Sequence, residues 1–137
     1  MTIAYVGGTF DLFHHGHVRL LKAAHEAFDE VVVALNTDEF AERYKRKPVM
    51  SLHERMEVVE ACRYVDRVVV NLGCEDSRET ILLSGATHIV HGDDWTGPEL
   101  MTQMGFDQAW LDVHGLEMWY PSYTKGISTT SLIERKA

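Results

Sequence analysis

The sequence predicts a single α/β domain, residues 1–137, built on one parallel sheet of about five strands with helices on both faces. Short apolar runs such as Val31–Leu35 are typical of strands that are covered on both faces, as in a parallel sheet. Segments with apolar residues at helical spacing separate these runs. The chain of 137 residues, 45% of them hydrophobic, is long and apolar enough for one core, and no repeat or linker divides it.

The first half of the chain alternates strand and helix signals. Ile3–Val6 is an apolar run broken by two glycines, which predicts a short strand and a tight turn. A helix is expected after the turn, because aliphatic residues recur at helical spacing over Val18–Ala24. Asp29–Asn36 predicts a second strand, and either Thr37 or Asp38 can cap the helix that follows it.

The second half continues the alternation and makes the predicted fold Rossmann-like, with parallel strands joined by helical crossovers. Ser51 and Glu54 fit a capping box at the start of a helix, and Arg67–Asn71 is the next apolar strand. Pro98 suits the first turn of a later helix, and Gly115 is the expected stop of another. The remaining predicted helices are Ser77–Leu83, one beginning at Gly97–Leu100, Asp107–His114 and Ser131–Arg135, and the remaining strands are His88–His91 and Leu116–Tyr120.

Composition narrows the class of partner. The formal net charge of −8 at pH 7 argues against nucleic-acid binding, which needs a basic surface. No apolar run approaches a membrane span and no secretory signal is evident, so no membrane partner is expected. Cys62 and Cys74 do not make a disulfide framework and favour a reduced, cytoplasmic location. The P-loop and Gly-x-Gly-x-x-Gly patterns are absent, which argues against ATPases and dinucleotide-dependent dehydrogenases.

The turn after the first strand is the expected ligand site. In open parallel sheets, ligands bind at the carboxyl ends of the strands, and a helix N-terminus attracts anions. His14 and His17 lie three residues apart in this position, and imidazoles can donate hydrogen bonds to phosphate oxygens. Gly16 between them would let a ligand approach the backbone closely. The alternative is zinc binding by these histidines and His15, but further ligands are not apparent and no metal ligand is predicted.

Three further segments are candidates for the same site. Gly126 and the hydroxyl residues from Ser128 onward predict a second anion site at a helix start, because capping alone explains only one hydroxyl. The basic run Arg43–Lys47 is either a solvated loop or a phosphate contact. Asp94 follows a predicted strand, where its carboxylate either accepts hydrogen bonds from a substrate or serves as a cap.

Four motifs in order resemble a known family. Gly8–Asp11 followed by His14-x-Gly16-His17 looks like the signature of the HxGH nucleotidyltransferases, and Gly126–Thr130 looks like the second signature of their cytidylyltransferase branch. His53–Arg55 and Gly92–Trp95 fall where that branch has similar residues. The resemblance covers nearly the whole chain and is greatest to the glycerol-3-phosphate cytidylyltransferase group.

This resemblance implies an enzyme that transfers a cytidylyl group from CTP to a small phosphorylated alcohol and releases pyrophosphate. Glycerol 3-phosphate is the leading acceptor. Mg²⁺ is the expected cofactor, bound through the substrate phosphates, and a homodimer is the expected assembly. Three alternatives stay open: another phosphate or phosphonate acceptor, an adenylyltransferase that uses ATP, and a nucleotide-binding module without turnover.

The resemblance also implies roles for individual residues. Tyr44 stands where the family carries a lysine, and Tyr123 where it carries an arginine, which Lys125 is expected to replace. The expected catalytic residues are His14, His17, Lys47 and Lys125. The expected nucleotide-binding residues are Gly8, Thr9, Phe10, His14, Gly16, His17, Arg46, Arg63, Asp94, Thr124, Gly126, Ile127, Ser128 and Thr129. The expected acceptor-binding residues are Asp11, Tyr44, Arg78 and Trp95.

Overall fold

A computed structural model describes residues 1–122 and 124–135 and confirms the predicted α/β fold class. Within these ranges the sheet strands are β1 (Ile3–Gly8), β2 (Glu30–Asn36), β3 (Arg67–Asn71), β4 (His88–Val90) and β5 (Glu117–Trp119). All neighbouring strands pair in parallel, in the order β3-β2-β1-β4-β5. The predicted strands are therefore all present and belong to one sheet.

The helices follow the strands as the sequence pattern indicates. They are α1 (His15–Ala27), α2 (Asp38–Tyr44), α3 (Leu52–Glu60), α4 (Arg78–Ser84), α5 (Pro98–Met104), α6 (Gln108–His114) and α7 (Thr129–Glu134). Ser51 and Glu54 form the predicted capping box of α3, and Thr37 caps α2. Gly115 ends α6 with a φ of 64°, the left-handed conformation that glycine adopts readily. None of the described helices is long and apolar enough to cross a membrane.

Some element boundaries differ from the prediction. β1 runs two residues further than Val6, because Gly7 and Gly8 continue the parallel pairing with β2. β4 ends at Val90, one residue before the predicted end. α7 begins at Thr129 instead of Ser131, because the Ser128 side chain accepts the Ser131 N–H and so starts the helix earlier.

Two apolar layers enclose the sheet, one on each face. Ala4 and Val6 of β1 belong to the layer that contains Leu21 of α1 and Val59 of α3. Tyr5, between them on the strand, belongs to the other layer, because successive side chains of a strand point to opposite faces. That second layer is supplied by Ile81 of α4, Met101 of α5, and Leu111 of α6. The observed arrangement is the predicted one, with helices on both faces.

The order of the strands creates a crevice beside β1. The chain continues from β1 to β2 and β3 on one side, and then returns to place β4 and β5 on the other side. The connections after β1 and β4 therefore diverge at the carboxyl ends of two neighbouring strands. In open α/β sheets this topological switch point is where ligands bind.

Candidate active site

A cavity of about 300 Å³ opens at this switch point. Its walls come from the end of β1 and the turn after it, the first turn of α1, the end of α2, the residues after β4, and the segment that leads into α7. Pockets that hold small molecules in proteins are concave and of at least this size. The fold therefore brings the glycine-rich turn, the basic run and the hydroxyl run to one place, although they are far apart in sequence.

The turn after β1 has an unusual backbone that buried contacts maintain. Phe10 and Leu12 have φ values of 53° and 50°, a left-handed conformation that side chains disfavour. Asp11 between them is 4% exposed, and its two carboxylate oxygens accept the backbone N–H groups of Val49 and Met50 at 2.8 and 2.9 Å. The Asp11 carboxylate thus joins the turn to the segment before α3. Each oxygen retains a second lone pair, and the predicted contact of Asp11 with the acceptor stays a prediction.

Arg55 of α3 supports the same turn through hydrogen bonds. Its side chain is fully buried, and Nη1 donates to the Thr9 carbonyl at 2.8 Å. Nη2 donates to Asp38 Oδ1 at 2.6 Å, and Nε donates to the Met50 carbonyl at 3.1 Å. A guanidinium presents several donors in a fixed plane, so one residue can satisfy all three acceptors. Arg55 therefore supports the site from behind and does not line the cavity.

The two histidines cap the helix on which they sit. His14 is the N-cap of α1, and its Nδ1 accepts the Gly16 N–H at 3.1 Å. His17 Nδ1 accepts the backbone N–H of His14, also at 3.1 Å. The two rings stack with their centroids 3.7 Å apart. The pair is a capping box made of imidazoles, which orders both rings at the cavity wall before any ligand arrives.

This capping determines where the rings carry their hydrogen. A backbone N–H can only donate, so Nδ1 of each ring is an acceptor and the hydrogen of the neutral ring lies on Nε2. Burial lowers the pKa of His17 to about 3, and the charge of His14 adds to the effect. Burial, followed by the charge of His15, also lowers the pKa of His14. At neutral pH both rings are uncharged, and each can donate one N–H to an anionic ligand.

The space around position 16 is limited by neighbouring side chains, which the sequence did not reveal. A Cβ atom at this position would lie 2.9 Å from Cε1 of the His14 ring and 3.2 Å from a methyl group of Ile127. A larger residue here would therefore have to displace the capping ring of His14. Gly16 also lines the cavity, and the predicted close approach of a ligand to its backbone stays a prediction.

The hydroxyl run before and within α7 makes internal hydrogen bonds. Ser128 and Ser131 cap the helix reciprocally, each side chain accepting the other's backbone N–H. The Thr129 hydroxyl donates to the Asp11 carbonyl at 2.6 Å, and Thr130 accepts from Arg46 Nη1 at 2.8 Å. These bonds tie the C-terminal segment to the turn after β1 and to the basic run. Ser128 and Thr129 also line the cavity, so their predicted contacts with nucleotide remain open.

The wall after β4 carries a carboxylate and an imidazole. Asp94 Oδ1 lies 3.9 Å from His91 Nδ1, and both side chains line the cavity. Tyr44, at the end of α2, lines the same cavity, and burial and the Asp94 charge both raise the pKa of its phenol. Negative charge on this side of the cavity complements the hydrogen-bond donors on the α1 side.

Most of the predicted site residues lie together at the cavity, although a position there does not establish a role. The predicted residues that line it are Gly8, Thr9, Phe10, Asp11, His14, Gly16, His17, Tyr44, Arg46, Asp94, Thr124, Ile127, Ser128 and Thr129.

Six predicted residues do not line the cavity, and their roles stay predictions. Arg63 lies over the Tyr64 ring, and Arg78 pairs with Asp76 at 2.8 Å. Lys47 borders a neighbouring surface pocket whose other residues include four acids. The other predicted residues outside the cavity are Trp95, Lys125 and Gly126, and Tyr123 lies outside the described residues.

The cavity also contains residues that the sequence reading missed. His91, Lys45 and Ser122 line it. His91 was assigned to the predicted strand, and a polar residue at the carboxyl end of a strand was the signal that could have identified it. Lys45 was one of several equivalent cations in the basic run. In residues 1–122 and 124–135, no group of three or more His, Cys, Asp and Glu side chains is arranged to hold a metal ion.

The sequence is similar to a protein family and to individual known proteins. The profile of a family described as cytidylyltransferase-like matches residues 5–135. A glycerol-3-phosphate cytidylyltransferase of Bacillus subtilis (strain 168) is 37% identical over 130 residues, which are 95% of this chain and 93% of that protein. An ethanolamine-phosphate cytidylyltransferase of Arabidopsis thaliana is 45% identical over 92 residues, which are 66% of this chain and 22% of that longer protein.

Solved structures contain the same fold. The crystal structure of the lipopolysaccharide core biosynthesis protein from Thermoplasma volcanium GSS1 matches with a TM-score of 0.75. The match covers 90% of this chain and 99% of that one, at 23% sequence identity. At this identity the similarity establishes the shared architecture and does not extend to function.

Proposed function

The chain belongs to the cytidylyltransferase-like family, and from this premise we propose that it transfers a cytidylyl group from CTP to a small phosphorylated alcohol. Glycerol 3-phosphate is the leading acceptor, because the bacterial relative of nearly the same length is named for it. Ethanolamine phosphate is the second candidate, since the plant relative named for it shares the higher identity over a shorter stretch.

One observation carries the proposal: two neutral imidazoles face one cavity with Nδ1 of each ring engaged by the backbone. Their Nε2–H groups are the right type of donor for the oxygens of a triphosphate, and they need no protonation to act. Donors that are already oriented stabilise the charge that develops at the α-phosphate without reorganising during the reaction.

The proposed reaction needs alignment more than a strong base. An oxygen of the acceptor phosphate attacks the α-phosphorus of CTP, and the bond from that phosphorus to the pyrophosphate oxygen breaks. The phosphate is already ionised, so no serine or cysteine nucleophile is required. The residues of this chain then have two tasks, which are to hold the reacting groups in line and to stabilise charge.

The proposal includes Mg²⁺ as a cofactor that binds through the phosphates of the substrate. Mg²⁺ retains several waters and is commonly bound through substrate phosphates and one or two carboxylates. The donor set fits this mode, because both oxygens of the buried Asp11 carboxylate accept backbone N–H groups, so substrate phosphates and water would supply most of the ligands. When bound, the ion would neutralise charge on the triphosphate. A homodimeric assembly is also proposed, and the family resemblance supports it.

Pyrophosphate release tests the proposed function. The purified protein is incubated with Mg²⁺ and each of CTP, ATP, GTP and UTP, across glycerol 3-phosphate, ethanolamine phosphate, choline phosphate and a small phosphonate. We expect release that requires CTP, an acceptor and Mg²⁺ together. Release with ATP alone among the nucleotides would replace the proposal by an adenylyltransferase, and nucleotide binding without release under any condition would replace it by a binding module.

A further inference from the structure

We infer that His91 selects the nucleobase by accepting a hydrogen bond from an exocyclic amino group, and so favours CTP over UTP. The inference rests on the proposed function and deepens it by naming a residue that distinguishes between nucleotides. The reasons are the position of His91, the hydrogen that its ring must carry, and the contrast with the other two histidines of the cavity.

His91 occupies a rigid position at the switch point. It follows β4 directly, and its backbone N–H donates to the Trp119 carbonyl of β5 at 3.1 Å. Its ring lies edge-on to the Trp95 ring with the centroids 6.4 Å apart, and its side chain lines the cavity with 29% of its surface exposed. A side chain held in this way can read a ligand group without rearranging.

The hydrogen-bond partner of the ring determines its tautomer. His91 Nδ1 lies 2.9 Å from the Gly92 carbonyl oxygen. A carbonyl can only accept, so Nδ1 carries the hydrogen and Nε2 of the neutral ring is an acceptor. No hydrogen bond to His91 Nε2 is present among the described residues, which leaves this acceptor available to a ligand in the cavity.

The cavity therefore presents opposite hydrogen-bonding characters at its two strand ends. His14 and His17, after β1, have Nδ1 as acceptor and offer Nε2–H donors. His91, after β4, has Nδ1 as donor and offers an acceptor. A nucleotide has the matching polarity, since its phosphates only accept and the amino group of cytosine donates. Asp94 adds a second acceptor beside His91 and strengthens this contrast.

A fixed acceptor distinguishes an amino group from a carbonyl group. Cytosine carries an amino group where uracil carries an oxygen, so UTP would place one acceptor against another. Such a mismatch leaves buried polar groups unpaired and is rejected strongly. A ribose hydroxyl can both donate and accept, so it would pair with either tautomer and does not require the acceptor that His91 presents. This favours the base as the group that His91 contacts.

Two variants separate hydrogen bonding from packing. His91→Phe keeps an aromatic ring against Trp95 but has no acceptor, whereas His91→Gln keeps an amide that can donate to Gly92 and accept from a ligand. We expect His91→Phe to lower the ratio of kcat/KM for CTP over UTP by at least about tenfold, and His91→Gln to keep the ratio within about threefold of the parent protein. Melting temperatures of both variants establish that they fold.

Three outcomes would overturn the inference. His91→Phe could keep the CTP preference, it could reduce turnover of CTP and UTP equally, or it could change the ratio of CTP to 2′-deoxy- or 3′-deoxy-CTP instead, which would assign the contact to the ribose. If no acceptor supports pyrophosphate release, the proposed function fails on its own. The competition of CTP and UTP for binding in the parent protein and the two variants still tests His91 in that case.

Discussion

At the scale of single residues, backbone contacts decide what each cavity histidine can do. His14 and His17 receive backbone N–H groups and so become donors through Nε2, whereas His91 donates to a carbonyl and so becomes an acceptor. The residue type is the same at all three positions. The hydrogen-bond partner assigns the chemical role, because a neutral imidazole has one donor and one acceptor nitrogen.

The double role of His14 can be separated by substitution. His14→Asn retains a side-chain oxygen that can cap α1, because asparagine is among the best N-cap residues, but it removes the Nε2–H donor. We expect the melting temperature to stay within a few degrees of the parent value and kcat to fall by about 10²–10³-fold, the effect of losing one oriented donor to a developing charge. Thermal unfolding followed by circular dichroism and pyrophosphate release would measure the two effects.

The matched variant at the other histidine is His17→Gln. Glutamine at the third helical position can still accept the N-cap N–H, as in an ordinary capping box. A similar loss of kcat with the fold retained would support donation by both rings. Turnover at the parent rate in either variant would show that the corresponding ring serves α1 and does not act on the substrate.

At the scale of elements, buried polar contacts join segments that the sheet alone would leave loose. Arg55 of α3 connects the turn after β1, the start of α2 and the segment before α3. Arg46 and Thr130, which are 84 positions apart, attach α7 to the segment that follows α2. The cavity walls are therefore held by specific side chains as well as by the order of the strands.

Arg55 is the element-scale position at which a substitution should cost most. Arg55→Leu keeps apolar bulk but leaves two carbonyls and the Asp38 carboxylate without their donor. We expect a loss of about 1–3 kcal/mol in the free energy of unfolding, because two part-buried carbonyls lose their donor, while the Asp38 side chain is 42% exposed and stays solvated. Urea denaturation at neutral pH would measure it.

The control for this variant is Arg19→Leu on the exposed side of α1. This change removes the same chemical group from a solvated position, so the denaturation midpoint should remain unchanged. Equal midpoints for the Arg55 and Arg19 variants would contradict the supporting role of Arg55.

At the scale of the whole molecule, the histidine pair links stability to pH. The pKa of His17 is about 3 in the folded chain, below the usual value of 6.5, because burial disfavours the charged ring. The unfolded chain therefore binds more protons between these two values. The contribution of neutral His17 to stability is complete above the pKa that His17 has in the unfolded chain. It is lost as the pH falls toward the pKa that His17 has in the folded chain.

We expect the free energy of unfolding to decrease as the pH is lowered from about 6.5 toward 4, with a slope from His17 of at most about 1.4 kcal/mol per pH unit. Urea denaturation at a series of pH values would give the slope. Carboxylates such as Asp76, whose pKa is lowered by Arg78, contribute equally to the acid sensitivity of the parent protein and of a His17→Gln variant. His17→Gln removes only the histidine contribution, so an unchanged slope in this variant would contradict the assignment.

Local signals in the sequence determined the fold class and the location of the main turn. The apolar run Val31–Leu35 predicted a strand covered on both faces, and all five of its residues are fully buried in β2. The turn after Val6 and the helix after it were also predicted, because glycines and helical periodicity act over a few residues. For the same reason, Ser51 and Glu54 were recognised as a capping box.

Only the tertiary structure decided which polar groups are available to a ligand. The oxygens of Asp11 accept N–H groups from residues 38 and 39 positions away, while its predicted contact with the acceptor stays a prediction. His91 and His14 line the same cavity because β4 pairs with β1, and no local pattern encodes that pairing. Buried hydrogen-bonding groups must find partners wherever the strand order places them. The sequence by itself therefore determined the architecture and the chemical types at the site, while long-range pairing decided the hydrogen positions and the groups left free to act.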